Sequence, residues 1–170
     1  MTEQLGEPQL DAWRAFLTAH AILINVIDRE LISAGCIPLH WYDVLVELLE
    51  APEHRLRLHE LADRVVLSRS GLTRLVDRLE AEGLLTRERS GRDRRGWYAV
   101  LTDQGFAAMR EAWPVYARGI AGYFARHLDA AEAQTLTDVL RRVSAAAREG
   151  QATGDRSRGQ FLGEQTRPGL

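Results

Sequence analysis

Residues 67–102 read LSRSGLTRLVDRLEAEGLLTRERSGRDRRGWYAVLT, and this stretch decides the fold. Its first part carries apolar residues at helical spacing: Leu72, Leu75, Val76 and Leu79. This spacing predicts a helix over residues 68–82 with one buried face. Ser68 suits the N-cap, because its hydroxyl can accept a hydrogen bond from an early helical N–H. Gly83 suits the position just after the helix ends, where a left-handed backbone is common.

The other positions of this helix carry short or cationic residues: Ser68, Arg69, Ser70, Gly71, Thr73, Arg74 and Arg78. Short polar side chains can approach the edges of bases, and arginine can pair with guanine or clamp a phosphate. Gly71 disfavours a helix by about 1 kcal/mol relative to alanine, but its missing side chain allows the backbone to approach DNA closely. The helix is therefore a candidate for insertion into a DNA groove.

Two apolar-rich stretches follow, at residues 84–89 and 97–101, and they predict the strands of a hairpin. The polar loop between them has a glycine near each end. Its tip carries three cations: Arg92, Arg94 and Arg95. Arginine inserted into a narrow minor groove is a recurrent means of DNA recognition. Residues 55–58 alternate arginine with leucine, and we expect this short strand to complete a three-stranded wing sheet.

This region closely resembles the MarR (multiple antibiotic resistance regulator) family of winged helix-turn-helix repressors. The matching residues are Leu61, Ala62, Ser68, the run LTRLVDRLE at 72–80, Gly83, Leu84, Asp93, Arg94, Arg95, Leu101, Thr102 and Gly105. The match is dense over residues 56–105 and follows the helix order over residues 11–148. The resemblance implies that Arg95 enters the minor groove, that Asp93 orients the wing, and that residues 68–74 contact the major groove and phosphates.

The expected fold class is mainly α with a small β wing, a winged helix-turn-helix with long helical dimerisation arms. The expected divisions are an N-terminal dimerisation helix in 1–37, a DNA-binding domain in 38–102 with recognition helix 68–82 and wing 84–101, C-terminal dimerisation helices in 103–149, and a flexible tail in 150–170. The first helix, over residues 9–33, is apolar on more than one face, so it should pack against its own domain and a partner subunit. The polar tail is flexible, or it docks through Phe161 and Leu162.

Several helix limits follow from capping residues. We expect the first helix of the DNA-binding motif to span residues 59–66, with His59 where many relatives carry serine or threonine. Thr102 should cap a helix that continues to about residue 126, with a kink at Pro114. Asp129 and Glu132 should form a capping box for the last helix, which Gly150 should end. The helix that follows Thr102 and the helix that follows Asp129 would then suit the dimer base that the resemblance implies.

The net charge of −2 conceals an uneven distribution. Residues 54–102 hold eleven arginines against seven carboxylates, whereas residues 1–53 hold two arginines against nine carboxylates. Because the local field rather than the total charge attracts DNA, the positive motif fits a DNA-binding protein. No run of about 18 apolar residues occurs and the N-terminus is polar, so we expect a cytoplasmic protein with no membrane partner.

Catalytic and metal motifs are missing from the sequence. It contains no Gly-x-Ser-x-Gly, phosphate loop, dinucleotide-binding glycine pattern or zinc protease motif, so we expect neither an enzyme nor a cofactor. Cys36, His40 and nearby acids do not form a recognisable zinc pattern, so no metal is expected. Cys36 is interpreted as a small buried hydrophobic residue, with a redox switch as the alternative.

Four residues are candidates for an effector pocket. In the family that the sequence resembles, aromatic acids bind between the dimer base and the winged domain. Aromatic rings and an imidazole suit such ligands, and the candidates are Trp13, His20, Trp41 and Trp113. The alternative is that all four are ordinary core or interface residues.

The sequence as a whole predicts a sequence-specific transcriptional regulator. We expect a homodimeric repressor that binds a pseudo-palindromic operator in double-stranded DNA and is released by a small aromatic effector. One alternative is a non-catalytic winged-helix module that binds another protein. A second alternative is a sequence-tolerant DNA binder.

Overall fold

The computed structural model describes residues 6–65, 69–89 and 96–164. In chain order its elements are α1 (Glu7–Ser33), α2 (Leu39–Glu50), β1 (Arg55–Arg57), α3 (Leu58–Arg64), α4 (Arg69–Ala81), β2 (Leu85–Arg89), β3 (Trp97–Leu101), α5 (Asp103–Tyr123) and α6 (Ala130–Glu164). The predicted fold class, mainly α with a small β wing, is confirmed. The chain forms two compact units with a boundary after Phe124. No helix of the described residues is both long and apolar enough to cross a membrane.

The core of the first unit joins the first four helices to the sheet. Its most deeply buried side chains are Leu31, Leu39, Val44, Leu45, Leu48, Leu61, Val76, Leu79 and Leu85. Each such side chain contributes about 1.5–3 kcal/mol by leaving water. The predicted inner face of α4 is confirmed, because all four of its apolar residues are buried. The opposite face of α4 is consequently held towards solvent.

The three strands form one antiparallel sheet in the order β1-β3-β2. Leu56 of β1 and Arg87 of β2 both lie opposite Ala99 of β3. The predicted three-stranded wing sheet is therefore confirmed. The first strand is shorter than expected, since it ends at Arg57 and Leu58 already belongs to α3.

The start of α3 corrects the expected limits of that helix. The helix spans Leu58–Arg64, so His59 lies within its first turn and is not the residue that precedes it. The Glu60 carboxylate accepts a hydrogen bond from the backbone N–H of Arg57 at 3.0 Å. A carboxylate inside the first turn thus satisfies the N-terminus, and no serine or threonine cap is needed there.

Thr102 links the end of α4 to the start of α5. Its Oγ1 accepts a hydrogen bond from the Gly105 N–H at 3.0 Å, which confirms the predicted N-cap. The same hydroxyl donates to the carbonyl of Gly83 at 2.6 Å. Gly83 has φ of 71°, the left-handed conformation expected just after α4, and Gly35 with φ of 74° follows α1 in the same way. These contacts fix where the wing begins and ends relative to the recognition helix.

The last two helices end at places that differ from the expectation. α5 ends at Tyr123 and continues past Pro114, and a short 3-10 turn covers Ala125–His127. The capping box at Asp129 is confirmed, because its Oδ1 accepts from the N–H of Glu132 at 2.9 Å and the Glu132 carboxylate accepts from the Asp129 N–H at 2.9 Å. The expected helix end at Gly150 is wrong, since α6 extends to Glu164. A glycine costs a helix about 1 kcal/mol, which a long helix can tolerate.

Gly105 leaves no room for a side chain, and this generates a stability prediction. A Cβ at this position would lie 2.0 Å from the carbonyl oxygen of Leu84 and 2.8 Å from Cδ1 of Leu101. Gly105→Ala should lower the free energy of unfolding by about 1–3 kcal/mol or more, because the backbone of α5 must move away from the wing. Chemical denaturation of the purified chain measures this change.

Gly122, on the same helix, provides the matched control. A Cβ there would meet nothing within 4 Å. Gly122→Ala should raise the free energy of unfolding by up to about 1 kcal/mol, because alanine favours the helix. Equal effects of the two substitutions would contradict the close packing of α5 on the wing.

Candidate nucleic-acid interface

The exposed face of α4 carries the predicted recognition residues that the structure describes. Thr73, Arg74 and Arg78 are exposed, and they lie opposite the buried apolar face. Residues three or four positions apart on a helix are neighbours, so Arg74 and Arg78 lie side by side. Gly71 is half-buried one turn earlier. The structure therefore brings these four predicted residues onto one helix, with two guanidinium groups on its open side.

The other predicted DNA-binding residues are described in part or not at all. The backbone of Arg69 and Ser70 forms the first turn of α4, but their side chains lie outside the described part of the chain. Also outside it are Ser68, Arg92, Asp93, Arg94 and Arg95. Their assignment to major-groove and minor-groove contacts stays a prediction. The described strands β2 and β3 flank the segment that carries the last four in sequence.

Arg87 of β2 joins the recognition helix to the wing. Its Nη1 donates to Oε2 of Glu80 at 2.7 Å, and its backbone N–H donates to Oε1 of the same carboxylate at 3.0 Å. Its Nη2 forms an ion pair with Asp77. We call this arrangement, which consists of Arg87, Asp77 and Glu80, the helix–wing clamp. The Arg87 side chain is 22% exposed and that of Glu80 is 35% exposed, so this ion pair is screened less by solvent than the pair with Asp77, which is 54% exposed.

The clamp also sets the charge of the exposed face. Asp77 is exposed on α4 between Arg74 and Arg78. A free carboxylate at this position would repel phosphate, and its pairing with Arg87 offsets that charge. This role could not be predicted from sequence, although the two acids are three residues apart on a helix and the arginine lies on the next strand. The unknown was which side of the strand would face the helix.

The four candidate effector residues fall into separate groups. Trp13 and His20 lie along α1 on either side of Phe16, with ring centroids 6.2 and 6.1 Å from it. Trp113 packs on Tyr116 at 6.2 Å. Trp41 makes its ring contact with His40 at 6.4 Å. Within the described ranges no ring contact joins these groups, and Trp13 and Trp113 are each 52% exposed.

The aromatic residues of α2 and α5 lie beside a carboxylate. Tyr42 packs edge-on against Tyr116 at 5.0 Å. Burial raises the pKa of Tyr116, and the neighbouring Asp43 carboxylate raises it further. Burial also raises the pKa of Asp43 itself. Burial therefore favours the protonated forms of Tyr116 and Asp43.

Two further features bear on chemistry other than DNA binding. Cys36 is half-buried, and its Sγ lies 3.9 Å from the carbonyl oxygen of Glu111. Its interpretation as a small hydrophobic residue, with a redox switch as the alternative, stays a prediction. No three His, Cys, Asp or Glu side chains in the described part of the chain converge as metal ligands do.

Comparison with known proteins connects this architecture to a family. The family profile described as MarR family matches residues 37–96. The HTH-type transcriptional regulator YkoM of Bacillus subtilis is 35% identical over 124 residues, which are 72% of this chain and 77% of YkoM. The chain belongs to the MarR family. It is therefore an HTH-type transcriptional regulator and not an enzyme.

Solved structures of MarR-family proteins share the fold. Sco3205, a MarR family transcriptional regulator from Streptomyces coelicolor solved in complex with DNA, is 31% identical with a TM-score of 0.78. The similarity covers 86% of this chain and 91% of Sco3205. AbsC, from the same organism, is 29% identical with a TM-score of 0.78, and the coverage is 87% of this chain and 99% of AbsC. The winged helix-turn-helix arrangement is thus that of the MarR family.

The helix–wing clamp generates a prediction about DNA affinity in this MarR-family chain. Arg87→Ala should weaken binding to duplex DNA by roughly fivefold or more, because it removes the positive charge that offsets Asp77 and Glu80 beside the cationic face. Fluorescence anisotropy with a labelled duplex measures the change. The double variant Arg87→Ala with Asp77→Asn should recover part of the affinity, since it removes one of the unpaired charges.

The same two variants separate charge from folding. The double variant should remain less stable than the wild type, because the hydrogen bond from the Arg87 guanidinium group to Glu80 is still missing. An unchanged affinity in Arg87→Ala, or no recovery on adding Asp77→Asn, would contradict the charge-balancing role of the clamp.

Proposed function

We propose that this chain is a homodimeric transcriptional repressor that recognises a pseudo-palindromic operator. Each subunit lays α4 in a major groove and places the wing loop, residues 92–95, in the adjacent minor groove. The observation that carries the proposal is the exposed face of α4, where Thr73, Arg74 and Arg78 lie opposite the buried core. Sco3205, which shares this fold at 31% identity, was solved in complex with DNA, and this similarity supports DNA as the partner.

A second copy of the chain accounts for the apolar surface of α1. Six large apolar side chains of α1 are between 40% and 62% exposed: Trp13, Phe16, Leu17, Ile22, Ile24 and Ile32. Soluble proteins seldom leave so many apolar groups on one element in water, and such surfaces mark protein–protein contacts. A symmetric dimer presents two copies of α4, which explains a palindromic operator with half-sites about one helical turn apart.

Repression by the bound dimer and its release by an effector both follow from this arrangement. A dimer bound across two half-sites occludes a promoter that overlaps them, and it acts in the cytoplasm, where bacterial DNA lies. A small aromatic effector that binds near Trp41 and Trp113, or near Trp13 and His20, would alter the spacing of the two recognition helices.

Selection of bound duplexes from a random pool tests the proposal. We expect a palindromic consensus, and the logarithm of its affinity should fall linearly with the logarithm of salt concentration, with a slope of about −0.9 per phosphate neutralised. Enrichment without symmetry would indicate a sequence-tolerant DNA binder. No enrichment, with weak binding abolished by modest salt, would indicate a protein-interaction module and would overturn the proposal.

Arginine substitutions separate the two expected groove contacts. Arg74→Ala should cost about 1–3 kcal/mol of binding free energy on the selected operator and relax the preference at one base position. Arg95→Ala should weaken binding and reduce the preference for sequences with a narrow minor groove. Titration of operator variants by anisotropy measures both effects.

Arg14 provides the control for these two substitutions. It is exposed on α1 and pairs with Asp11 at 3.4 Å, away from the recognition helix. Arg14→Ala should therefore leave operator affinity unchanged. Losses in Arg74→Ala and Arg95→Ala no larger than that of Arg14→Ala would contradict the docking mode.

A ligand panel tests the effector. An aromatic acid, a neutral phenol and an aromatic amine should be compared for their effect on thermal unfolding and on operator affinity. A ligand at 100 times its Kd stabilises the folded chain by about 2.7 kcal/mol, and an effector should weaken operator binding as well. Trp113→Ala should abolish both effects of a ligand that binds between α2 and α5. The effector hypothesis fails if no member of the panel changes either quantity.

A further inference from the structure

Arg89 and Trp97 form a pair at the end of the wing strands. They are opposite each other in the register of β2 and β3. The guanidinium carbon of Arg89 lies 5.1 Å from the centroid of the Trp97 ring, which is a cation–π contact. Arg89 is exposed, and Trp97 is 39% exposed. The exposure of both the tryptophan ring and the cation is more typical of a binding surface than of the hydrophobic core.

The strand register fixes which side of the sheet this pair occupies. Side chains two positions apart on a strand point to the same face. Arg87 reaches α4 through the helix–wing clamp, so Arg89 lies on the side of the sheet that faces α4. Trp97 shares that side with Ala99, which is buried against the core. The pair therefore lies on the face of the sheet from which Arg87 reaches α4, two positions beyond the helix–wing clamp, and we call this region the corner between α4 and the wing.

Arg89 differs from Arg87 and Arg55 in its charge balance. Arg87 is neutralised by two carboxylates, and Arg55 pairs with Glu53 at 2.5 Å. No carboxylate among the described residues forms an ion pair with Arg89. Its positive charge is instead held by an aromatic ring, which orients the guanidinium group without cancelling its charge.

We propose that Arg89, held over Trp97, binds a phosphate of the DNA backbone that separates the two grooves. This inference rests on the proposed docking of α4 in a major groove and of the wing tip in the adjacent minor groove. One sugar-phosphate strand necessarily passes between neighbouring grooves, and the corner between α4 and the wing faces it. A cation in this corner meets phosphate and not the edges of bases.

A phosphate contact has a distinct thermodynamic signature. It strengthens binding to every duplex irrespective of sequence, and it releases a counterion. Arg89→Ala should therefore lower affinity for operator and non-operator duplexes by a similar factor, about tenfold for each hydrogen bond to a charged group that is lost and so about a hundredfold for the two subunits of the dimer. The slope of log affinity against log salt should become shallower by about 0.9 for each phosphate contact removed.

Two further variants separate the charge from its orientation. Arg89→Lys keeps the positive charge, so it should keep the salt slope. Trp97→Ala keeps Arg89 but removes the ring that orients it, so affinity should fall while the slope stays near the wild-type value. If Arg89 only stabilised the wing, the salt slope would be the same in Arg89→Ala and in Arg89→Lys. A phosphate contact instead predicts a shallower slope in Arg89→Ala and a wild-type slope in Arg89→Lys.

The opposite face of the same sheet offers a matched control. The guanidinium carbon of Arg55 lies 5.2 Å from the ring centroid of Tyr98, which is also a cation–π pair. Because Tyr98 neighbours Trp97 on β3, its side chain points to the other face, away from α4. Arg55→Ala should leave affinity and salt slope unchanged, which makes it the reference for Arg89→Ala.

The decisive experiment is a salt titration of the full-length wild type and these four variants on one operator and one scrambled duplex, with thermal unfolding of each protein. A shallower slope on both duplexes in Arg89→Ala alone supports the phosphate contact. Affinity and slope in Arg89→Ala equal to those of Arg55→Ala, or an affinity loss with an unchanged slope, would overturn it. A wild type that binds neither duplex would instead refute the proposed function.

Discussion

The ion pairs between Arg87 and the two carboxylates of α4 are the interaction on which the DNA-binding surface depends. Asp77 and Glu80 lie on the recognition helix, and Arg87 lies on the strand that begins the wing. Hydrophobic packing holds α4 against the core, but this packing by itself does not fix the direction of the wing. The clamp adds directional hydrogen bonds, and Thr102 closes the other end of the hairpin by bonding to Gly83. The helix and wing are thereby held as one surface.

The clamp also reconciles an acidic chain with a polyanionic partner. The chain carries a net charge of −2, yet the exposed side of α4 presents Arg74 and Arg78. The carboxylate that lies between them is paired internally. Field strength near a surface depends on such local arrangements, and it falls off within about 10 Å at 0.1 M salt. Acidic residues elsewhere in the chain therefore need not oppose DNA binding.

Local features of this fold could be predicted from sequence, whereas features that depend on the pairing of elements could not. The buried face of α4, the left-handed Gly83 and the Thr102 cap each depend on a few neighbouring residues, and all were predicted correctly. The predicted end of α6 at Gly150 was wrong because glycine lowers helix stability without forbidding the helix. The helix–wing clamp was missed because the face on which a strand residue lies follows from the register of the sheet. The division of the aromatic candidates into separate groups likewise depends on how helices pack.

Hydroxyl-radical footprinting of the protein on its selected duplex tests the central claim most directly, because it maps the protein on the DNA backbone itself. We expect two equivalent sets of protected positions related by a two-fold axis, with centres about 10–10.5 base pairs apart. Each set should extend from a major groove across the intervening backbone into the flanking minor groove. A single asymmetric patch, or uniform protection along the duplex, would contradict a dimer that uses α4 and the wing together.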